Sequence, residues 1–241
     1  MPLALPDNTI EIWVIDLTGG GDEQASALMS ADERERAAKF RFPVDRDRFI
    51  RARVALRRIL AAYHNISPAE IGFEYSHYGK PTLGKVQSDI QFNTSHAADK
   101  ALVACARGME IGVDIECISR NIEPTDLAER FFSPQENAKL RALPADLRRL
   151  AFFRCWTCKE AYVKAVGKGL SLGLDQFDVS AVLASSAEVM SRQNHGFILG
   201  EFFLWALGSD TVEGYRAAAV ARSATKLSLQ IRQFDEINVK N

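Results

Sequence analysis

Glu110-Ile111-Gly112-Val113-Asp114-Ile115-Glu116 echoes Glu11-Ile12-Trp13-Val14-Ile15-Asp16-Leu17 about one hundred residues earlier, and that echo decides the expected fold. Both runs are short and β-branched, as strands are. In the later run the period of two sends Gly112, Asp114 and Glu116 to one face and Ile111, Val113 and Ile115 to the other. One face is core; the other carries two carboxylates.

Outward from each run the signals recur in the same order. Ser30-Ala-Asp-Glu33 and Ser133-Pro-Gln-Glu136 both have the capping-box pattern, the second with proline at the first helical position. A longer helix then follows in each half, Arg48 to Tyr63 and Leu147 to Val166, predicted from apolar periodicity without internal glycine or proline. Strands are predicted at Ile71-Gly-Phe-Glu-Tyr75 and Phe177-Asp-Val-Ser-Ala181, and apolar strand patterns close the halves at Ala101 to Ala106 and Tyr215 to Ala221. Strand, helices, strands, given twice, predicts an α+β fold of pseudo-twofold duplicated α/β halves, 1–108 and 109–241. A site between related halves is expected, since such interfaces are favoured places for ligand clefts.

The bulk numbers set limits on function. The 241 residues are 47% hydrophobic and 25% charged, enough for a substantial core. A net charge of -1 gives no global excess to attract nucleic acid, so anion recognition must come from local clusters such as Arg46, Arg48, Arg51, Arg53, Arg57 and Arg58. The first residues lack a basic start and a long apolar stretch, and the most apolar run, Gly196 to Gly208, is broken by Glu201 and too short to span a bilayer. A soluble, cytoplasmic protein is expected. Cys105, Cys117, Cys155 and Cys158 fit a reducing compartment; Cys155-x-x-Cys158 lies inside a helical pattern with no second pair, which favours buried structural thiols.

On the second long helix Trp156, Glu160 and Lys164 recur every four residues, placing a third carboxylate and an amine in one line. Alone, Glu160 and Lys164 read as a surface pair contributing about 0.3 to 0.5 kcal/mol. Together with Asp114 and Glu116 they suggest a hard divalent cation and a phosphate ester. Gly167-Lys168-Gly169 follows a helix, whereas a phosphate loop precedes one, so it reads as a C-terminal cap.

Tyr78-Gly79-Lys80-Pro81 and Phe92-Asn93-Thr94-Ser95-His96 complete an ordered set. Gly-Lys-Pro, Phe-Asn-x-Ser-His, Gly-x-Asp-x-Glu and Trp-x-x-Lys-Glu-Ala-x-x-Lys-x-x-Gly-x-Gly, in this order, resemble the Sfp-type 4′-phosphopantetheinyl transferases. The resemblance runs from about Ser30 to the strands near Ala221. It implies transfer of the phosphopantetheine arm of coenzyme A to a serine of an apo acyl or peptidyl carrier protein. By the same resemblance Asp114, Glu116 and Glu160 hold Mg²⁺, and Arg48, Lys80, Ser95 and His96 contact phosphates of coenzyme A. Glu33 stands where the family often has a basic residue, with Arg36 one turn later.

Lys164 is then placed to neutralise or protonate the leaving phosphate, and Lys159, about 100° around the helix from Glu160, to grip phosphate from the side. The general base stays open between Glu160, a water on the metal and Glu136. Arg141, Arg148, Arg149 and the apolar segment after Gly169 are candidates for the carrier surface. A monomer is expected, because a duplicated chain supplies its own interface. The same carboxylates would serve an Mg²⁺-dependent phosphohydrolase or nuclease, and the fold would also suit a non-catalytic coenzyme A or carrier-protein binding module.

Overall fold

Alternation along β1 (Thr9–Asp16) sorts its residues between two cores: Ile10, Ile12 and Val14 on one side, Trp13 and Ile15 on the other. The computed structural model, which describes residues 3–19, 26–84, 86, 88–184, 186, 189 and 194–236, repeats this division in every central strand. In β5 (Lys100–Arg107), Leu102, Ala104 and Ala106 oppose Ala101, Val103 and Cys105. In β6 (Ile111–Cys117), Ile111, Val113 and Ile115 enter the core shared with β1 and β5, as the sequence pattern predicts.

Two four-stranded sheets result. The first has the order β10-β1-β5-β4 and the second β6-β9-β8-β7, with β4 at Ile90–Ala97, β7 at His195–Leu199, β8 at Phe202–Leu207, β9 at Tyr215–Arg222 and β10 at Ser228–Gln233. In both, the opening strand pairs antiparallel with the closing one, β1 with β5 and β6 with β9, and that strand pairs with its predecessor. The internal echo is therefore structural. β10 leaves the second half and pairs parallel with β1, Thr9 opposite Ser228, so the chain's last described strand extends the first sheet. A hairpin of β2 (Phe73–Tyr75) and β3 (Pro81–Leu83) carries the Gly79-Lys80 turn.

The sheets meet face to face over a core of small and branched residues, Ala217, Ala219 and Ala221 among them. On its outer face the first sheet packs against α2 (Pro43–His64) through Leu56, Ile59 and Leu60. The second packs against α5 (Ala145–Val166) through Phe152, Cys155, Cys158 and Ala161. The order is helix, sheet, sheet, helix. Cys155 and Cys158 are fully buried free thiols, and burial raises both above the ordinary thiol range, Cys158 to about 12.

The two capping boxes form as the sequence predicts, and each does a second job. Before α1 (Ala31–Ala38), Glu33 accepts from the Ser30 N–H at 2.9 Å and from Arg57 Nε of α2 at 2.8 Å. Arg57 also donates to the Ile71 carbonyl at 2.7 Å. Before α4 (Pro134–Ala142), which follows α3 (Pro124–Phe131), Glu136 accepts from the Ser133 N–H at 2.8 Å and from Lys159 Nζ of α5 at 2.6 Å. Lys159 also donates to the Phe177 carbonyl at 2.7 Å. A capping glutamate, a buried cation on the next long helix and a loop carbonyl form the same bracket in both halves.

This bracket corrects one expectation. Phe177–Ala181 is not a strand; short 3₁₀ turns at Leu174–Gln176 and Ser180–Leu183 stand there. Its backbone groups are claimed by side chains: the Phe177 carbonyl by Lys159, the Val179 N–H by Glu136 at 2.7 Å, and the Ser180 N–H by Asp178 at 2.9 Å. With those partners taken, a ladder cannot form.

Candidate active site

Gly112 lets α5 lie directly on β6. A Cβ there would fall far inside contact distance of the Ala161 carbonyl and the Ala165 N–H, so nothing larger than glycine fits. With the helix this close, Lys164 reaches Asp114: Nζ donates to Oδ1 at 2.7 Å, to Ser95 Oγ at 2.9 Å and to the Val113 carbonyl at 3.2 Å. Ser95 Oγ in turn donates to the same Oδ1 at 2.8 Å. Two distant segments, β4 and α5, thus converge on one carboxylate of β6.

Asp114 is buried, and its Oδ2 has no hydrogen-bond partner among the described residues. Glu116 and Glu160 are half-buried; burial raises the proton affinity of each, and the charge of Asp114 raises it further. Arg120 offsets part of this at Glu116 through a 3.0 Å contact. Among the described residues no three carboxylate, histidine or cysteine side chains close on one metal position by themselves.

The site opens into a groove lined by Tyr78, Lys80, Asn93, Glu160, Val163 and Lys164. Lys80 does not stand free at its wall: Nζ donates to the Ile111 carbonyl at 3.1 Å and the Lys164 carbonyl at 2.9 Å, joining the β2–β3 turn to both β6 and α5, and burial lowers its proton affinity. His96 is exposed beside a second groove, whose other walls include Arg36, Arg53, Tyr75 and Ser95.

Arg48 is not on that wall. The lining stripe of α2 is Phe49, Ala52, Arg53 and Leu56, at helical spacing, and Arg48 lies about 100° away from Phe49, with Asp45 at 3.8 Å. Arg53, present in the sequence as one of six clustered arginines, is the one that α2 turns to this groove. Its guanidinium lies 3.3 Å from Glu33 and 5.1 Å from the Phe73 ring centroid. Glu33, which replaces a basic residue of the family pattern, is buried as the partner of Arg53 and Arg57.

Lys159 is fully buried, its amine spent on Glu136 at 2.6 Å and the Phe177 carbonyl at 2.7 Å, a position that favours a structural role over a grip on phosphate. Glu136 is equally committed, with Lys159 and two backbone N–H groups as donors, and is no candidate base. Lys159→Met should destabilise the fold by about 3–5 kcal/mol by stranding the Glu136 charge. Denaturant unfolding checks this; a raised KM for coenzyme A with unchanged stability would restore the phosphate role. Arg148 and Arg149 are also engaged, donating to the Leu143 and Ile118 carbonyls at 3.0 and 2.8 Å, and Arg141 pairs with Glu129 at 2.7 Å.

Comparison with known proteins gives the family. Residues 110–220 match the profile of the 4′-phosphopantetheinyl transferase superfamily, and residues 22–108 that of the N-terminal part of a 4′-phosphopantetheinyl transferase. The chain is similar to the 4′-phosphopantetheinyl transferase HetI of Nostoc sp., 36% identical over 78% of this chain and 81% of the relative. It is similar to a 4′-phosphopantetheinyl transferase of Bacillus subtilis, 35% identical over 68% and 71% of the two chains. The Sfp transferase of Bacillus subtilis strain 168 is 32% identical over 66% and 69%.

Proposed function

This chain belongs to the 4′-phosphopantetheinyl transferase superfamily, and from that premise we propose how its own residues carry the reaction. The enzyme transfers the 4′-phosphopantetheine arm of coenzyme A to a serine of a carrier protein. Neither alternative, a phosphohydrolase or a module without catalysis, finds support among the relatives, whose names are those of transferases.

In our reading Asp114, Glu116 and Glu160 hold Mg²⁺. What supports it is the donor set: three carboxylates without nitrogen or sulfur ligands, an Asp114 oxygen buried without a partner, and two neighbours whose like charges are in conflict. Three protein oxygens leave most of a six-oxygen shell to substrate and water, so the carboxylates need not close on a point beforehand. When bound, the ion offsets charge on the pyrophosphate oxygens. Ser95 and Lys164 hold Asp114 in place, and Lys164 brings a positive charge to the wall of the groove where the leaving phosphate would develop its negative charge. Glu160, at the wall of the groove, is the carboxylate we assign to take the proton of the attacking serine hydroxyl. His96, Arg36 and Arg53 line the groove that we assign to the anionic nucleotide end.

The convergence of Ser95, Asp114 and Lys164 carries this reading. It includes a boundary at 108/109, where the two profiles adjoin, and a cytoplasmic monomer without nucleic acid as partner; the free thiols and the seam between halves support the setting and the state. No described helix is long and apolar enough to cross a membrane. The test is intact-mass analysis of an apo carrier protein incubated with the enzyme and coenzyme A. A gain of one phosphopantetheinyl group with Mg²⁺, lost in chelator, is expected; equal gain in chelator removes the metal assignment, and no gain across several carriers removes the transfer.

A further inference from the structure

β6 is an edge strand. The backbone groups of its even-numbered residues face β9, as the Arg222 N–H to Glu110 carbonyl bond beside the pair shows, and those of its odd-numbered residues face the first half, where no described strand pairs with them. Side chains take the place of that strand. Lys80 Nζ donates to the Ile111 carbonyl at 3.1 Å, Asn93 Oδ1 accepts from the Val113 N–H at 3.0 Å, Lys164 Nζ donates to the Val113 carbonyl at 3.2 Å, and Ser95 Oγ accepts from the Ile115 N–H at 3.4 Å. Asp114 lies between the two N–H groups held in this way. An edge without partners is free to slide or twist, and here the residue it carries must be placed to a fraction of an ångström.

We propose that Asn93 is a positioning residue for the transfer, its carboxamide standing in for the missing strand and fixing Asp114 at the seam between the halves. Asn93 is buried, and its oxygen is the shorter of the two acceptors that grip β6. Because that oxygen is committed to Val113, the NH₂ is what Asn93 can offer to the groove it lines with Glu160 and Lys164. Asn93 and Ser95 alternate on one face of β4, so the Phe-Asn-x-Ser-His segment grips β6 on both sides of Asp114.

The inference rests on the reading of Asp114 as a ligand of the divalent ion, and its test separates the two. Mn²⁺ binding is followed by electron paramagnetic resonance at saturating coenzyme A, for the wild type, Asn93→Leu and Asn93→Asp. Asn93→Leu, folded by circular dichroism, should bind Mn²⁺ about tenfold or more weakly and lose kcat, with KM for the carrier unchanged. Asn93→Asp, which keeps an acceptor for the Val113 N–H, should bind Mn²⁺ at least as tightly as the wild type. If Asn93→Leu fails to fold, Asn93→Ser, polar but too short for the 3.0 Å bond, carries the same expectation. A lower melting temperature with unchanged Mn²⁺ affinity and kcat overturns the proposal, leaving Asn93 structural. A wild type that binds no Mn²⁺ removes the reading of Asp114, and the proposal with it.

Discussion

Glu160→Gln loses transfer by about 10²–10⁴-fold, the range expected when a proton acceptor in the transition state is removed, while the protein stays folded. The substitution keeps volume and shape, so the contacts of α5 with β6 and the groove wall persist. It also removes a charge that is in conflict: Asp114 and Glu116 both raise the proton affinity of Glu160, and burial does so more. Relieving that conflict should leave stability equal to the wild type or higher, the usual relation where a site is arranged for reaction and not for rest. Lys159→Met, one position away, is expected to do the opposite, because Lys159 lies in the bracket with Glu136 and not in the groove. Time courses of carrier-protein mass with parallel denaturant curves check the pair. Near-normal turnover of Glu160→Gln would end its assignment as base.

That contrast shows where the sequence stops being readable. The alternation of β6, the echo with β1, both capping boxes and the cap at Gly167, with φ of 75°, are local patterns, and each predicts its structure correctly. The destination of a long side chain is not local. Helical spacing says that Lys159 points about 100° from Glu160, but not that Glu136, 23 residues earlier, waits there. Phe177–Ala181 has strand chemistry and loses its ladder to those same two side chains. On α2, arginines occur on several faces, so which of them faces the groove depends on the packing stripe through Phe49 and Leu56. Asn93 is legible only as part of a motif; its grip on Val113 requires two sheet edges that the sequence places twenty residues apart.

Gly112→Val is the substitution expected to cost most in fold and activity together. The Cβ of any other residue would overlap the Ala161 carbonyl and the Ala165 N–H and stand 3.0 Å from the Lys164 carbonyl carbon. These are helix backbone atoms and cannot rotate aside, so α5 must lift from β6 or the strand must bow. Overpacking of this kind costs about 1–3 kcal/mol, and more for a branched side chain wedged against backbone. The functional loss should be larger than that. The same contact sets the distance between Asp114 on the strand and Glu160 and Lys164 on the helix, and a displacement of about 1 Å at reacting groups lowers rates about 100-fold. Gly112→Ala separates the two effects: it should remain folded with a reduced melting temperature, yet transfer about 100-fold more slowly, with KM for the carrier little changed. If Gly112→Ala proved as active as the wild type, the strand and helix would not be set by this contact, and the placement of Asp114 against Lys164 would need another origin.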